Sequence, residues 1–241
     1  MIEIDANGLH YKILNERIRE LIKSGHKKIK IENVFGQRFI CAGIKEDVEI
    51  IINGIPGNDI GCFMNGPKIY INGNAQDGVG NTMNSGKIII NGNAGDIVGH
   101  SMRGGEIYIK GEAGYRVGIH MKEYKNLYPV IVIGGIVKDY LGEYMAGGLI
   151  IILNIENKNK ITGELVGTGM HGGEIYIRGE IDERTIGKEV KIFEAENNEK
   201  IKPYILNFCK FFNLNPDGLI KSKFIKIIPV SKRPYGKIYS Y

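Results

Sequence analysis

The sequence predicts an all-β fold, a right-handed parallel β-helix: a single-stranded solenoid of about seven coils with short helical N- and C-terminal extensions. Three observations carry this. Gly-x-x-Met is written six times, at Gly61/Met64, Gly80/Met83, Gly99/Met102, Gly118/Met121, Gly142/Met145 and Gly167/Met170, with the first four copies 19 residues apart and the last two after steps of 24 and 25. Apolar triplets keep step with it: Ile50–Ile52, Ile69–Ile71, Ile88–Ile90, Ile107–Ile109, Ile131–Ile133, Ile150–Ile152 and Ile175–Ile177. Asn-Gly and Gly-Gly pairs punctuate the triplets. A unit of this size cannot bury its own apolar face, so copies must stack. β-Branched and aromatic triplets between turn residues read as short strands, and their fixed spacing lays like on like in parallel. At about 4.8 Å per strand, seven rungs make a rod roughly 34 Å long.

The choice of solenoid follows from what each repeat lacks. Leucine-rich repeats need regularly placed leucines, which these coils do not have. Left-handed hexapeptide helices need a multiple of six, and 19 is not one. Asn53-Gly54, Asn72-Gly73 and Asn91-Gly92 tolerate positive φ and suit hairpins. Within this period they read instead as corners, with the asparagines stacked as a hydrogen-bonding ladder.

The elements divide the chain into residues 1–45, an N-terminal helix and strands capping the solenoid; 46–192, the β-helix; and 193–241, a C-terminal helix and basic tail. Leu9 to Ser24 place Leu14, Ile18, Leu21 and Ile22 on one helical face, and Gly25 suits a left-handed stop. Ile29–Val34 and Arg38–Ile44 read as strands joined through Phe35-Gly36. Beyond Gly187 the repeat fades. Ile201–Phe212 reads as a second helix, with Pro203 in its first turn and Ile205, Phe208, Cys209 and Phe212 on its apolar side. Open solenoid ends need covering, so both extensions are expected as caps. The middle residue of each triplet faces away from the core, so Ile51, Tyr70, Ile89, Tyr108, Val132, Ile151 and Tyr176 form an outer apolar ladder. Such a stripe calls for a covering helix or a partner, including a second copy of the chain.

Composition bounds the function. The 241 residues include no apolar run long enough to span a membrane, and Met1 to Asn7 is no signal peptide, so a cytoplasmic protein is expected. Cys41, Cys62 and Cys209 form no metal-spaced pair. Residues 200–241 carry nine basic side chains and one acidic, against 23 basic and 26 acidic before them. Lys221, Lys223, Lys226, Lys232, Arg233 and Lys237 lie among Phe224, Tyr235 and Tyr239, a pattern that can meet nucleic acid phosphates but reads first as a solvated or partner-docking tail.

The motifs that suggest chemistry give way to the repeat. Gly167-Thr168-Gly169-Met170-His171-Gly172 spells G-x-G-x-x-G, yet that fingerprint needs a following helix, and Glu174–Ile177 reads as another strand. The six methionines could offer soft metal ligands, but flexible core filling explains them better. His100, His120 and His171 do not keep register with them, and His10 and His26 lie outside the rod. Asp77, Asp96 and Asp139 recur three positions before the corner glycine. Two stacked carboxylates could imitate a retaining glycosidase pair; their repetition favours turn chemistry, with Asp bonding nearby amides. No residue is assigned a catalytic, cofactor-binding or metal-binding role.

Several phrases carry a family resemblance: Ile4-Asp5-Ala6-Asn7-Gly8-Leu9-His10-Tyr11, Asn33-Val34-Phe35-Gly36-Gln37-Arg38, Gly92-Asn93-Ala94-Gly95-Asp96, Gly118-Ile119-His120-Met121-Lys122-Glu123-Tyr124 and Val166 to Gly173. Through nearly its whole length the chain resembles the C-terminal domain of the glutamate synthase large subunit, which in some microbes is a separate polypeptide. The resemblance implies a non-catalytic scaffold. In that family one domain hydrolyses glutamine, another uses FMN and an iron-sulfur cluster to reduce the imine of 2-oxoglutarate, and the β-helix holds them in position. The expected partners are therefore glutaminase and FMN-binding synthase subunits, which would carry the cofactors. An N-terminal nucleophilic cysteine, flavin-barrel patterning and clustered cysteines are missing from this sequence. The glycine-rich β-helical subunit of formylmethanofuran dehydrogenase shares the glycine corners and is the alternative, without the Ile119–Tyr124 insertion or the Asp5-Ala6-x-Gly8 opening. A free-standing carbohydrate-active β-helix is a third reading.

Overall fold

Parallel strand pairing runs without a break from residue 2 to residue 178 in the computed structural model, which describes residues 1–232. The strands are β1 (Ile2–Asp5), β2 (Lys28–Phe35), β3 (Glu49–Ile55), β4 (Asn65–Asn72), β5 (Ser85–Ile90), β6 (Gly105–Ile109), β7 (Pro129–Ile133), β8 (Ala146–Ile152) and β9 (Gly172–Arg178). Helix α1 (Tyr11–Lys23) lies between β1 and β2. After β9 come β10 (Val190–Glu194), α2 (Lys202–Phe212), the short α3 (Asp217–Ile220) and β11 (Phe224–Pro229). The sheet order is β1 through β9 in sequence, then β11 and β10. The seven triplet strands β3 to β9 make about six turns of a β-solenoid.

Register follows the repeat. Ile50, Ile69, Ile88, Ile107, Ile131, Ile150 and Ile175 stand one above another, as do Ile52, Ile71, Ile90, Ile109, Ile133, Ile152 and Ile177. Both columns are buried in one continuous core with the six repeat methionines. Insertions after the fourth and fifth corners lengthen the connecting loops and leave the isoleucine columns in step, because register is set by which face is buried.

The segment expected as a strand over Arg38–Ile44 is instead a corner. Phe39, Cys41 and Gly43 have φ near +60°, a backbone that no strand adopts. Its apolar Ile40, Cys41 and Ile44 imitate a strand because they are buried at the bend. Cys41 takes the place of the corner glycine. The rod thus begins with β1 and β2, before residue 46.

The two extensions behave differently. Helix α1 buries Leu14, Ile18 and Ile22 against the N-terminal end of the core, and Asn15 Nδ2 donates to Arg38 O at 3.2 Å. Gly25, at φ +90°, ends it. Helix α2, expected as an end cap, lies along the flank. Its Ile205, Phe208, Cys209 and Phe212 cluster with Ile89, Tyr108, Val132, Ile151 and Tyr176, so most of the outer ladder is covered by the chain itself. Only Ile51 and Tyr70, at the N-terminal end, stay partly exposed. The C-terminal end of the sheet is closed instead by β11, antiparallel on β9, with β10 beyond it.

Candidate functional site

The corners give the solenoid its distinctive chemistry. In each of seven bends three alternate residues are left-handed: Phe39/Cys41/Gly43, Asp59/Gly61/Phe63, Gly78/Gly80/Thr82, Ile97/Gly99/Ser101, Arg116/Gly118/His120, Tyr140/Gly142/Tyr144 and Leu165/Gly167/Gly169. A left-handed residue with a side chain costs roughly 1–2 kcal/mol. Hydrogen bonds offset this cost. The central N–H donates to the preceding coil, as Gly80 N does to Ile60 O at 2.9 Å, while the flanking N–H groups donate to the next, as Gly78 N does to Asp96 O and Thr82 N to His100 O at 2.9 and 2.7 Å. Alternate handedness thus points successive amides down, then up.

The central position also lacks space, because its missing side chain would enter the isoleucine core. A Cβ on Gly61, Gly80, Gly99, Gly118 or Gly142 would meet Cδ1 of Ile88, Ile107, Ile131, Ile150 or Ile175 at 2.4 to 2.8 Å. The flanking positions face outward and carry Phe, Thr, Ser, His or Tyr. The Gly-x-x-Met pattern therefore registers the middle of a three-position motif; Gly78-x-Gly80 and Gly167-x-Gly169 are the places where a second glycine discloses it. Met64, Met83, Met102, Met121, Met145 and Met170 are all buried in the core.

The aspartates bond between coils rather than within turns. Asp77 Oδ1 accepts from Asp96 N, Asp96 Oδ1 from Tyr115 N, and Asp139 Oδ1 from Glu164 N, each at 2.9 Å. Asn74 and Asn93 repeat this toward Asn93 N and Glu112 N, at 2.8 and 2.9 Å. The corner asparagines ladder too: Asn72 Nδ2 donates to Asn53 Oδ1 at 2.7 Å, and Asn53 to Glu32.

The G-x-G-x-x-G segment, Gly167 to Gly172, is the last corner and runs directly into β9. Gly169 is needed there because the Tyr144 ring lies where its Cβ would be, at 2.3 Å. Among the described residues no group of three His, Cys, Asp or Glu forms a candidate metal site. The three cysteines are buried free thiols. Loss of hydration pushes Cys41 up to about 12 and Cys62 up to about 11, so neither is poised as a nucleophile. No helix among the described residues is long and apolar enough to cross a membrane.

The histidines, out of register with the methionines in sequence, converge in space. His100 and His120 meet edge to face with centroids 6.1 Å apart, and His120 stacks on Tyr144 at 5.3 Å. His120, Tyr144 and His171 line one cleft of about 830 Å³ with Ser101, Lys122, Glu123 and Lys232. The sequence signal was present: Ser101, His120 and Tyr144 all stand immediately before a repeat methionine. Within the basic tail, Lys226 pairs with Glu174 at 3.1 Å and Lys223 with Glu194 at 2.9 Å. Arg233, Tyr235, Lys237 and Tyr239 lie outside the described residues.

Fold and corner together define a glycine-cornered parallel β-solenoid whose polar side chains mostly serve coil-to-coil bonding. A family model described as the GXGXG motif matches residues 13–230. The chain is also 55% identical over 251 aligned positions to an uncharacterized protein of Methanocaldococcus jannaschii, covering 99% of this chain and 96% of that one. It belongs to the GXGXG family, that of the C-terminal domain of the glutamate synthase large subunit.

Proposed function

We propose that the chain is a non-catalytic scaffold subunit of a cytoplasmic glutamate synthase complex, holding a glutaminase subunit and a synthase subunit that carries FMN and an iron-sulfur cluster. The observation that carries this reading is the family match across residues 13–230, which takes in most of α1 and all of α2 as well as the coils. The architecture supports it. A rod stitched by main-chain bonds at every corner changes shape little and suits a spacer between working parts. The laddered aspartates lend no support to a carbohydrate-cleaving role, since Asp77, Asp96 and Asp139 each have an oxygen committed to a backbone amide of the next coil.

The test is purification of the native complex through a tag on this chain, with partner identification and a visible spectrum. Recovery of a flavin and iron-sulfur polypeptide, together with glutamine-dependent glutamate formation, is the expected result. Recovery with a molybdenum or tungsten enzyme would transfer the chain to the formylmethanofuran dehydrogenase reading, and recovery alone would remove the scaffold proposal.

A further inference from the structure

We propose that the cleft beside the histidine and tyrosine column binds a small oxyanion carrying two or more negative charges, a phosphate or a carboxylate. Nothing in the scaffold role requires such a site. Its walls come from stacked coils: Ser101, His120 and Tyr144 from three successive corners, Lys122 and Glu123 from the insertion that follows, His171 from the last corner, and Lys232 from the segment after β11. Its volume of about 830 Å³ is in the range of small-molecule sites.

The cleft gathers two unpaired bases in one place. Other bases of the rod face an acid one coil away, among them Lys28 with Glu49, Lys87 with Glu106 and Arg116 with Glu143. Neither Lys122 nor Lys232 forms an ion pair among the described residues. The one carboxylate lining the cleft, Glu123, turns Oε1 to Gly148 N at 2.9 Å. His171 Nδ1 lies 3.1 Å from Gly169 O, so that nitrogen carries a proton and donates to the backbone, which fixes the ring against the cleft. Two ammonium groups, with two imidazoles beside them, thus share an open cleft with a single carboxylate that already accepts from a backbone amide, and charge-assisted donors such as these ammonium groups recognise oxyanions.

The experiment is a titration of the full chain with inorganic pyrophosphate and, separately, with succinate, against sodium chloride at matched ionic strength, followed by calorimetry and by the imidazole resonances of His120 and His171. Saturable binding by either anion is expected. A response to pyrophosphate alone assigns the phosphate class, and a response to succinate alone the carboxylate class. Lys122→Glu should weaken binding by roughly tenfold or more, while Lys138→Glu, whose ammonium lies over Tyr115 outside the cleft, should leave it unchanged. No saturable response, a response matched by chloride, or equal loss in both variants would overturn the proposal.

Discussion

Gly99 and Ile131 are in contact through the middle of the rod: a Cβ on Gly99 would stand 2.4 Å from Ile131 Cδ1, and Gly99 itself has φ +68°. Gly43 is left-handed to the same degree, φ +64°, but nothing stands within 4 Å of its absent Cβ. The pair separates two reasons for glycine. Gly43→Ala should cost about 1 kcal/mol, the conformational term alone. Gly99→Ala should cost about 2–4 kcal/mol, because overpacking of Ile131 is added. Denaturant midpoints of the two variants measure the difference, and equal losses would show that the core yields at the corner.

Asp96 is a structural acceptor. Its Oδ1 takes the Tyr115 amide of the next coil, and its own amide donates to Asp77 Oδ1. Asp96→Ala leaves the Tyr115 N–H without that partner and should cost about 1–2 kcal/mol. Asp96→Asn keeps an oxygen in place and should lie within about 0.5 kcal/mol of the parent protein. A charge requirement, with Asn as damaging as Ala in urea denaturation, would contradict the ladder account.

How far the sequence discloses this molecule depends on how regular each part is. Isoleucine triplets at fixed spacing specify register without ambiguity, because a one-residue slip would turn Ile69 and Ile71 outward and Tyr70 inward. The Arg38–Ile44 corner escaped because Cys41 replaces the glycine that marks the other bends. Strand β1 is four residues long and lies a helix away from its partner β2, so no local signal announces it. The position of α2 was half legible: its apolar side and the apolar ladder are both readable, but their pairing is a tertiary choice. The cleft was half legible: Ser101, His120 and Tyr144 keep the place before a repeat methionine, whereas His171 follows its methionine and stands 51 residues beyond His120.

Phe208 anchors α2 on the ladder. It is fully buried, and a Cβ on Gly134 of the rod would meet its ring at 2.7 Å. Phe208→Ala should cost about 3–5 kcal/mol and expose Tyr108, Val132 and Ile151 enough to bind an apolar dye. Leu206→Ala, on the 43% exposed side of the same helix, should change stability by no more than about 0.5 kcal/mol. Hydrogen exchange in Phe208→Ala should rise across α2 while the amides of β5 to β8 keep their protection. Uniform loss throughout the rod would mean that the helix and the solenoid fold as one unit.

His100 makes stability depend on pH. Burial first, and the neighbouring His120 second, hold its imidazole below the ordinary value of 6.5, while Asp59 opposes them weakly. The folded chain therefore resists a proton that the unfolded chain accepts. Stability from this group is present above pH 6.5 and falls as the pH drops from there through the lowered folded value. His100→Gln removes the titration, so the midpoint of urea unfolding between pH 7.5 and pH 5.5 should decline less in the variant than in the parent. A parallel decline in both proteins would assign the acid sensitivity to other groups, and a steeper decline in the variant would show that the protonated His100 is favoured by the fold.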